Sequence, residues 1–271
     1  MRIVHIGDVI GKPGRQALHK YLPEIKGHLK PDIIIVNAEN AANGFGVTPS
    51  ICNDMYENGV SCITTGNHVW GQKDTVFQIE EDERLMRPAN FSKLAPGKGY
   101  YLGETASGHK YLVINVMGRV YMEPVDDPFA CVRDILQFHK MGSEVDAIIV
   151  DIHAEASSEK MGMGQFLDGK VSLVVGTHSH IPTADAQILT KGTAYQTDSG
   201  MTGSYDSVIG MEKGASIQYF TTGIKQGGRQ PAKEEVSVCG VFVETDDETG
   251  LATHIEPIRL GGRLAQSMPK L

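Results

Sequence analysis

The sequence contains no apolar run near the roughly 20 residues that a membrane-spanning helix needs. It has no Lys/Arg block either, and 25 basic residues face 33 acidic ones for a net charge of −8. The electrostatic footprint of a duplex-binding protein is therefore missing. The opening stretch "MRIVHIGDV" lacks the charged region and long apolar core of a signal peptide, and it reads at once as a strand. Only four cysteines occur, Cys52, Cys62, Cys131 and Cys239, and none forms a C-x-x-C pair. That spacing suggests neither a disulfide framework nor a zinc ribbon. These absences lead to the expectation of a cytoplasmic chain with no membrane or duplex nucleic-acid partner. A nucleotide ligand stays open, because a local metal centre can reverse the sign of an acidic field.

What is present is a set of strands ending in Gly- or Asn-rich loops. The 271 residues include 31 glycines, many at the ends of apolar runs. The length suits one α/β domain spanning residues 1–271, with no linker, repeat or low-complexity segment. Residues 2–7 read as a first strand. Residues 14–29 read as a helix, with Ala17, Leu18, Tyr21, Leu22 and Ile25 on one face. Residues 32–37 form a second strand, then a helix opens at Thr48 as N-cap with Pro49 at its first position and closes at Gly59. "VSCITTGNH" is a third strand and its loop. This βαβαβ order implies a parallel sheet with right-handed crossovers.

Beyond it, "GYYLGET" and "HKYLVINVMG" read as neighbouring strands turning at Ser107 and Gly108. A helix spans "DPFACVRDILQFHKM". "DAIIVDIHAE" and "KVSLVVGTHSH" are further buried strands. From Gln187 onward the pattern suggests shorter, alternating strands, and the tail after Gly261 reads as loose. The picture is of an α/β chain in two halves, each contributing strands, that meet as a layered sandwich.

The informative residues follow the apolar runs. Asp8 follows "IVHIG". Glu39 and Asn40 follow "DIIIVNA". Asn67 and His68 follow "CITTG". His153 ends "AIIVDI", with Glu155 close by, and His178 and His180 follow "SLVVGT". Ligand crevices of open α/β sheets lie beyond the carboxyl ends of the strands, so these groups converge if the strands share an edge or two facing edges. Imidazole and carboxylate together suit Fe, Mn, Zn or Ni better than Ca. There are more ligands than one ion needs, and a carboxylate such as Glu39 can bridge two ions. A single strand-end histidine is usually a satisfied structural residue. Five strand ends with one chemical bias are hard to supply by turn preference. The other histidines, His5, His19, His28, His109, His139 and His254, lack that context and are assigned structural or surface roles.

"GDVIGKPGR" is not a phosphate loop, since three residues separate its glycines and Pro13 follows Lys12. Lys12 and Arg15 either attract phosphate near a helix start or are simply solvated.

The signals "GD" at Gly7-Asp8, "GNH" at Gly66–His68, a strand-end His153 and "GTHSH" at Gly176–His180 resemble the calcineurin-like metallophosphoesterases. Ile10 stands where the usual D-x-H has its histidine, and "NAEN" replaces the usual G-D-x-x-D block. These departures, with "NAENAANGFG", "TTGNHVW", "HAEASSEKMG" and "DSGMTG", resemble the YmdB-like bacterial phosphodiesterase branch. The resemblance implies one ion held by Asp8, Glu39, Asn40 and His180, and another by Glu39, Asn67, His153 and His178. It implies iron or manganese as the two metal ions, and His68 as the acid that protonates the leaving oxygen. The implied activity is hydrolysis of a small phosphodiester, a cyclic nucleotide and in particular a 2′,3′-cyclic form, by a hydroxide bridged between the ions. It also implies a homo-oligomer and, as the fold class, α/β: a layered α/β/β/α sandwich of two mixed sheets with helices outside. Two other readings stand beside it: a phosphomonoesterase or protein phosphatase on the same site, and a low-turnover regulatory metal-binding sensor.

Overall fold

The structure is a computed structural model that describes residues 1–270 except 226, 227 and 229. In chain order its elements are β1 (Arg2–Ile6), β2 (Asp8–Val9), α1 (Gly11–Leu29), β3 (Ile33–Asn37), α2 (Pro49–Glu57), β4 (Cys62–Thr64) and α3 (Thr75–Glu81). There follow β5 (Tyr100–Glu104), β6 (Lys110–Met117), α4 (Pro128–Leu136), β7 (Ala147–His153), α5 (Ser157–Leu167) and β8 (Leu173–Thr177). The last are β9 (Gln187–Ile188), β10 (Ala194–Gln196), β11 (Met201–Ser204), α6 (Lys213–Thr222), β12 (Val236–Thr245) and β13 (Ala252–Leu260).

The strands form two mixed sheets. One has seven strands in the order β2-β11-β12-β1-β3-β4, with β13 paired to β12; the other has six, β5-β6-β7-β8-β10-β9. β1, β3 and β4 run parallel, as do β6, β7, β8 and β10. Ile3, Ile33, Ile35 and Val241 of the first sheet meet Val113, Ile149, Leu173 and Val175 of the second in a shared core. The outer face of the first sheet packs under α1 and α2, and that of the second under α4 and α5. This is the layered α/β/β/α sandwich expected from the sequence. β3, β7 and β8 are each a continuous buried run because they are covered on both faces.

Local chemistry explains most boundaries. Thr48 caps α2, its hydroxyl accepting from the Ile51 N–H at 3.4 Å, with Pro49 in the first turn. α1 begins at Gly11 rather than Gly14, because Pro13 is tolerated in a first turn whose N–H groups lack partners anyway. α4 stops at Leu136 instead of running to Met141: its apolar face ends there, and Phe138 is 75% exposed.

Two expectations fail. From Gln187 onward β9, β10 and β11 are short, with two, three and four residues, but β12 and β13 have ten and nine. β12 is buried almost throughout because β1 flanks it on one edge and β13 on another, while Phe242 and Val243 feed opposite cores. The tail after Gly261 is held as well. Ser267 and Arg259 exchange backbone hydrogen bonds of 2.8 Å, Met268 packs on the first core, and Arg263 pairs with Glu235 and Asp206. Helices α3, α5 and α6 have no counterpart in the sequence reading.

Candidate metal centre

The carboxyl ends of five strands, from both sheets, deliver polar groups to one place. β1 ends at Ile6, and at Gly7 the chain steps sideways so that β2 can pair with β11. Only glycine allows this step, since a Cβ on Gly7 would fall 1.8 Å from the Gly200 carbonyl oxygen. Asp8 is thereby fully buried. Glu39 and Asn40 follow β3, Asn67 and His68 follow β4, His153 is the last residue of β7, and His178 and His180 follow β8. Gly66 is also obligatory: a Cβ there would lie 2.2 Å from the His153 ring and 2.5 Å from a Glu39 oxygen.

Glu39 is the hub. Its Oε2 accepts from the His68 backbone N–H at 3.1 Å and lies 3.2 Å from His153 Nε2. Its Oε1 accepts from Asn40 Nδ2 at 3.0 Å and lies 3.3 Å from His68 Nδ1. Because a carboxylate only accepts, the Asn40 amide is oriented, and its Oδ1 faces His68 Nδ1 at 2.8 Å. Phe45 stands edge-on to the His68 ring, with centroids 4.8 Å apart. Asn67 Oδ1 lies 3.0 Å from His153 Nε2.

The second nitrogen of each strand-end histidine is occupied. His180 Nδ1 donates to the Ile209 carbonyl at 2.9 Å, leaving Nε2 near Asn40 (3.3 Å) and Asp8 Oδ1 (3.9 Å). The Thr177 hydroxyl donates to Asp151 Oδ1 at 2.7 Å and so accepts from His153 Nδ1 at 2.9 Å. His178 pairs through Nε2 with Glu155 at 3.3 Å and turns Nδ1 toward His153 Nε2, 3.1 Å away. All three rings thus present one nitrogen to the centre and anchor the other, the arrangement that fixes the tautomer of a metal-ligating imidazole.

The charges are unbalanced. Burial pushes Asp8 up to about 6, against the pull of His180 and His153. Burial also opposes ionisation of Glu39, yet His153 and His68 hold it well below the usual carboxylate range. The same carboxylates overcome desolvation at His153 and lift it to about 9, while burial and the charge on His153 drive His178 down to about 3. Asp8 Oδ1 is buried and accepts no hydrogen bond among the described residues. Among the described residues two donor sets, Glu39/His153/His178 and Asp8/Glu39/His180, each lie within 4.8 Å and share Glu39. An unpartnered buried carboxylate oxygen beside oriented imidazoles fits transition-metal ions.

The chain matches the model of the YmdB-like protein family over residues 4–258. It belongs to the YmdB-like family. A 2′,3′-cyclic-nucleotide 2′-phosphodiesterase of Bacillus subtilis is 42% identical to this YmdB-like chain over 258 residues, covering 95% of it and 96% of the relative. The crystal structure of a novel phosphatase from Mycoplasma pneumoniae superposes with a TM-score of 0.90 at 33% identity, covering 97% of this chain and 94% of that one. A calcineurin-like phosphoesterase of Bacillus subtilis shares the fold alone, with a TM-score of 0.54 at 11% identity over 96% and 90% of the two chains. The YmdB-like chain therefore has the calcineurin-like phosphoesterase fold.

All eight site residues named from the sequence lie in this cluster. Of the histidines assigned structural roles, His5 is buried beneath it, its Nε2 3.5 Å from Asp151 Oδ2 and without a hydrogen bond of ordinary geometry. Burial works against Asp151, but His5 and Thr64 keep its carboxyl below the usual range. Lys12 is exposed, and Arg15 lines the small cleft between α1 and α2. The sequence reading missed Thr177, Asp151 and the buried pair Lys160–Asp198, whose Nζ and Oδ2 are 2.7 Å apart. Asp198 also accepts from the Ser179 N–H and hydroxyl, so it props up the loop between His178 and His180.

Proposed function

We propose that this chain is a metal-dependent phosphodiesterase that hydrolyses nucleoside 2′,3′-cyclic phosphates. The observation that carries the reading is the pair of donor sets sharing Glu39. One ion would be held by Asp8, Glu39, Asn40 and His180, and the other by Glu39, Asn67, His153 and His178, with iron or manganese matching the mixed N/O donors. When bound, the ions supply Lewis acidity and an activated water at neutral pH.

The chain's own groups do the rest. Glu155, Thr177 and the Ile209 carbonyl hold the three rings in their working tautomers. Asn40 Oδ1 has two lone pairs, so it can accept from Nδ1–H of His68 and still serve an ion, and Nε2 of that ring is the atom left to serve a substrate. As water adds to phosphorus and sheds one proton to solvent, one ring P–O bond breaks, and His68, carrying a proton on both nitrogens, gives the Nε2 proton to the departing sugar oxygen and keeps Nδ1–H. The side chain of His68 is 33% exposed, whereas Glu39 is buried. The acid therefore stands at the mouth of the site with the bridging carboxylate beneath it.

The test is hydrolysis of 2′,3′-cyclic AMP by chelator-stripped protein, before and after Mn²⁺ or anaerobic Fe²⁺. Metal-restored turnover is expected. No turnover of any phosphodiester with two ions bound per chain would remove the reading. Phosphomonoesters belong in the same panel, because the Mycoplasma relative is described as a phosphatase.

A further inference from the structure

Trp70 is the single tryptophan of the chain, and it follows the catalytic candidate His68 by two residues in the turn Val69–Gly71. Nothing in the metal centre uses it. Its indole is half-buried, packed on one side against the first core, and faces the half-buried Phe91 with ring centroids 6.5 Å apart at 46°. The two rings wall a groove of about 630 Å³ that opens at Asn67, a ligand candidate. That volume lies in the range of small-ligand sites, roughly 300–1,000 Å³. Two roomier clefts, of about 770 and 720 Å³, touch neither His68 nor any residue around Glu39.

The groove is held in shape from below. Asn90 is buried, and its Nδ2 donates to the Met117 and Asp126 carbonyls at 2.7 and 2.8 Å. Its Oδ1 accepts from the Met117 N–H at 2.9 Å. The aromatic wall on one side and the segment 117–126 on the other are thus tied together before any ligand arrives. The exposed carboxylates Glu123 and Asp126 also line the groove, as does the exposed Lys93, and a carboxylate accepts from exocyclic amino or ring N–H groups.

We propose that this groove is the base-binding subsite, with Trp70 and Phe91 stacking against a purine base of the substrate. The inference rests on the phosphodiesterase reading for the phosphate and adds the recognition of what the phosphate carries. Aromatic walls bind any base face, and a purine offers more area than a pyrimidine. The carboxylates favour adenine and guanine, which carry exocyclic amino donors, over uracil, whose edge has only the N3–H donor.

Glycerol 1,2-cyclic phosphate presents the same five-membered ring without a base. The test compares kcat/KM for 2′,3′-cyclic AMP with that for glycerol 1,2-cyclic phosphate. In Trp70→Ala the ratio falls about tenfold or more, mainly through KM for the nucleotide. Phe91→Ala moves it in the same direction, and Trp70→Phe retains most of it. The preference of the unaltered protein for 2′,3′-cyclic AMP over 2′,3′-cyclic UMP shrinks in Trp70→Ala. Equal losses on both substrates, the mark of a merely structural tryptophan, overturn the proposal, as does an unchanged ratio.

A second readout needs no variant. Adenosine 3′-monophosphate added to the Mn²⁺-loaded protein quenches the lone indole. Unchanged emission at nucleotide concentrations that inhibit turnover overturns the subsite. Should the protein hydrolyse neither cyclic phosphate, the phosphodiesterase reading fails on its own. Quenching by the nucleotide would then still support the groove, and its absence would remove it.

Discussion

Asp8 and Asp198 are both fully buried carboxylates, and both reach the loop that carries His178 and His180. Asp198 is closed. Its Oδ2 takes Lys160 Nζ at 2.7 Å and the Ser179 hydroxyl at 2.7 Å, and its Oδ1 takes the Gly200 N–H at 2.8 Å. Asp8 is open. One oxygen accepts the His178 N–H at 3.2 Å and the other accepts nothing. An uncompensated buried charge costs several kcal/mol, so a fold keeps one only where something else is to bind or react there. The closed cluster is scaffold, and the open one is the centre we propose as the working site. They are joined through three residues of loop, with positive φ at both His178 (92°) and His180 (66°). Such conformations are uncommon for side-chain-bearing residues, and the Asp198 anchor at Ser179 is what holds them.

The largest expected effect comes from the hub of the open cluster. Glu39→Gln removes the charge that both donor sets share. Turnover should fall on the order of 10³-fold or more, at least the scale of losing one preset charge-stabilising group. Metal analysis should find both ions weakened. Loss of one ion with the other intact would break the bridging role. On the closed side, Lys160→Met leaves Asp198 buried and short of its cation, at a cost of about 3–5 kcal/mol. That is a large part of the roughly 5–15 kcal/mol of a whole domain, and Tm should drop on the order of 10 °C. Lys160→Met with Asp198→Asn should recover part of the loss. A double variant no better than the single one would show that the two side chains are not coupled.

His68→Ala sharpens the comparison from the mouth of the site. The ring touches Glu39 and Asn40 but is not needed to hold an ion, so both ions should remain. The rate should fall about 10²–10⁴-fold, the usual worth of a positioned acid. Full activity in metal-loaded His68→Ala would exclude the acid role.

The open cluster was legible in the sequence and the closed one was not, for a physical reason. Strand ends announce themselves, because an apolar run of β-branched residues stops where Asp8, Glu39, Asn67, His153 and His178 begin. The parallel topology then requires those ends to meet. Lys160 and Asp198 lie 38 residues apart. Lys160 is on α5, whose two glycines and scattered apolar residues blur any helical face. Nothing local marks it as buried, since lysine on a helix is ordinarily solvated. β12 defeated the alternation rule because a central strand covered on both faces does not alternate. The held tail depends on contacts of Arg263 and Met268 with distant segments, which no short-range pattern reports.

The smallest expected effect lies where the two kinds of burial meet. Thr177 passes the closed network of Asp151 to the open centre, donating to Asp151 and accepting from His153. Thr177→Val keeps the shape and deletes both bonds. His153 then loses the partner that holds its tautomer, and affinity for its ion should weaken about 10–100-fold, the usual effect of removing an outer partner of a metal-bound imidazole. The ion held with Asp8 and His180 should bind as before, because His180 is anchored on the Ile209 carbonyl instead. Competition against a chelator, with the two ions titrated in turn, separates these cases. One weakened step and one unchanged step support two sites with separate anchors joined at Glu39. Two steps weakened alike would mean that the histidines act as a single unit and that the division into donor sets is wrong.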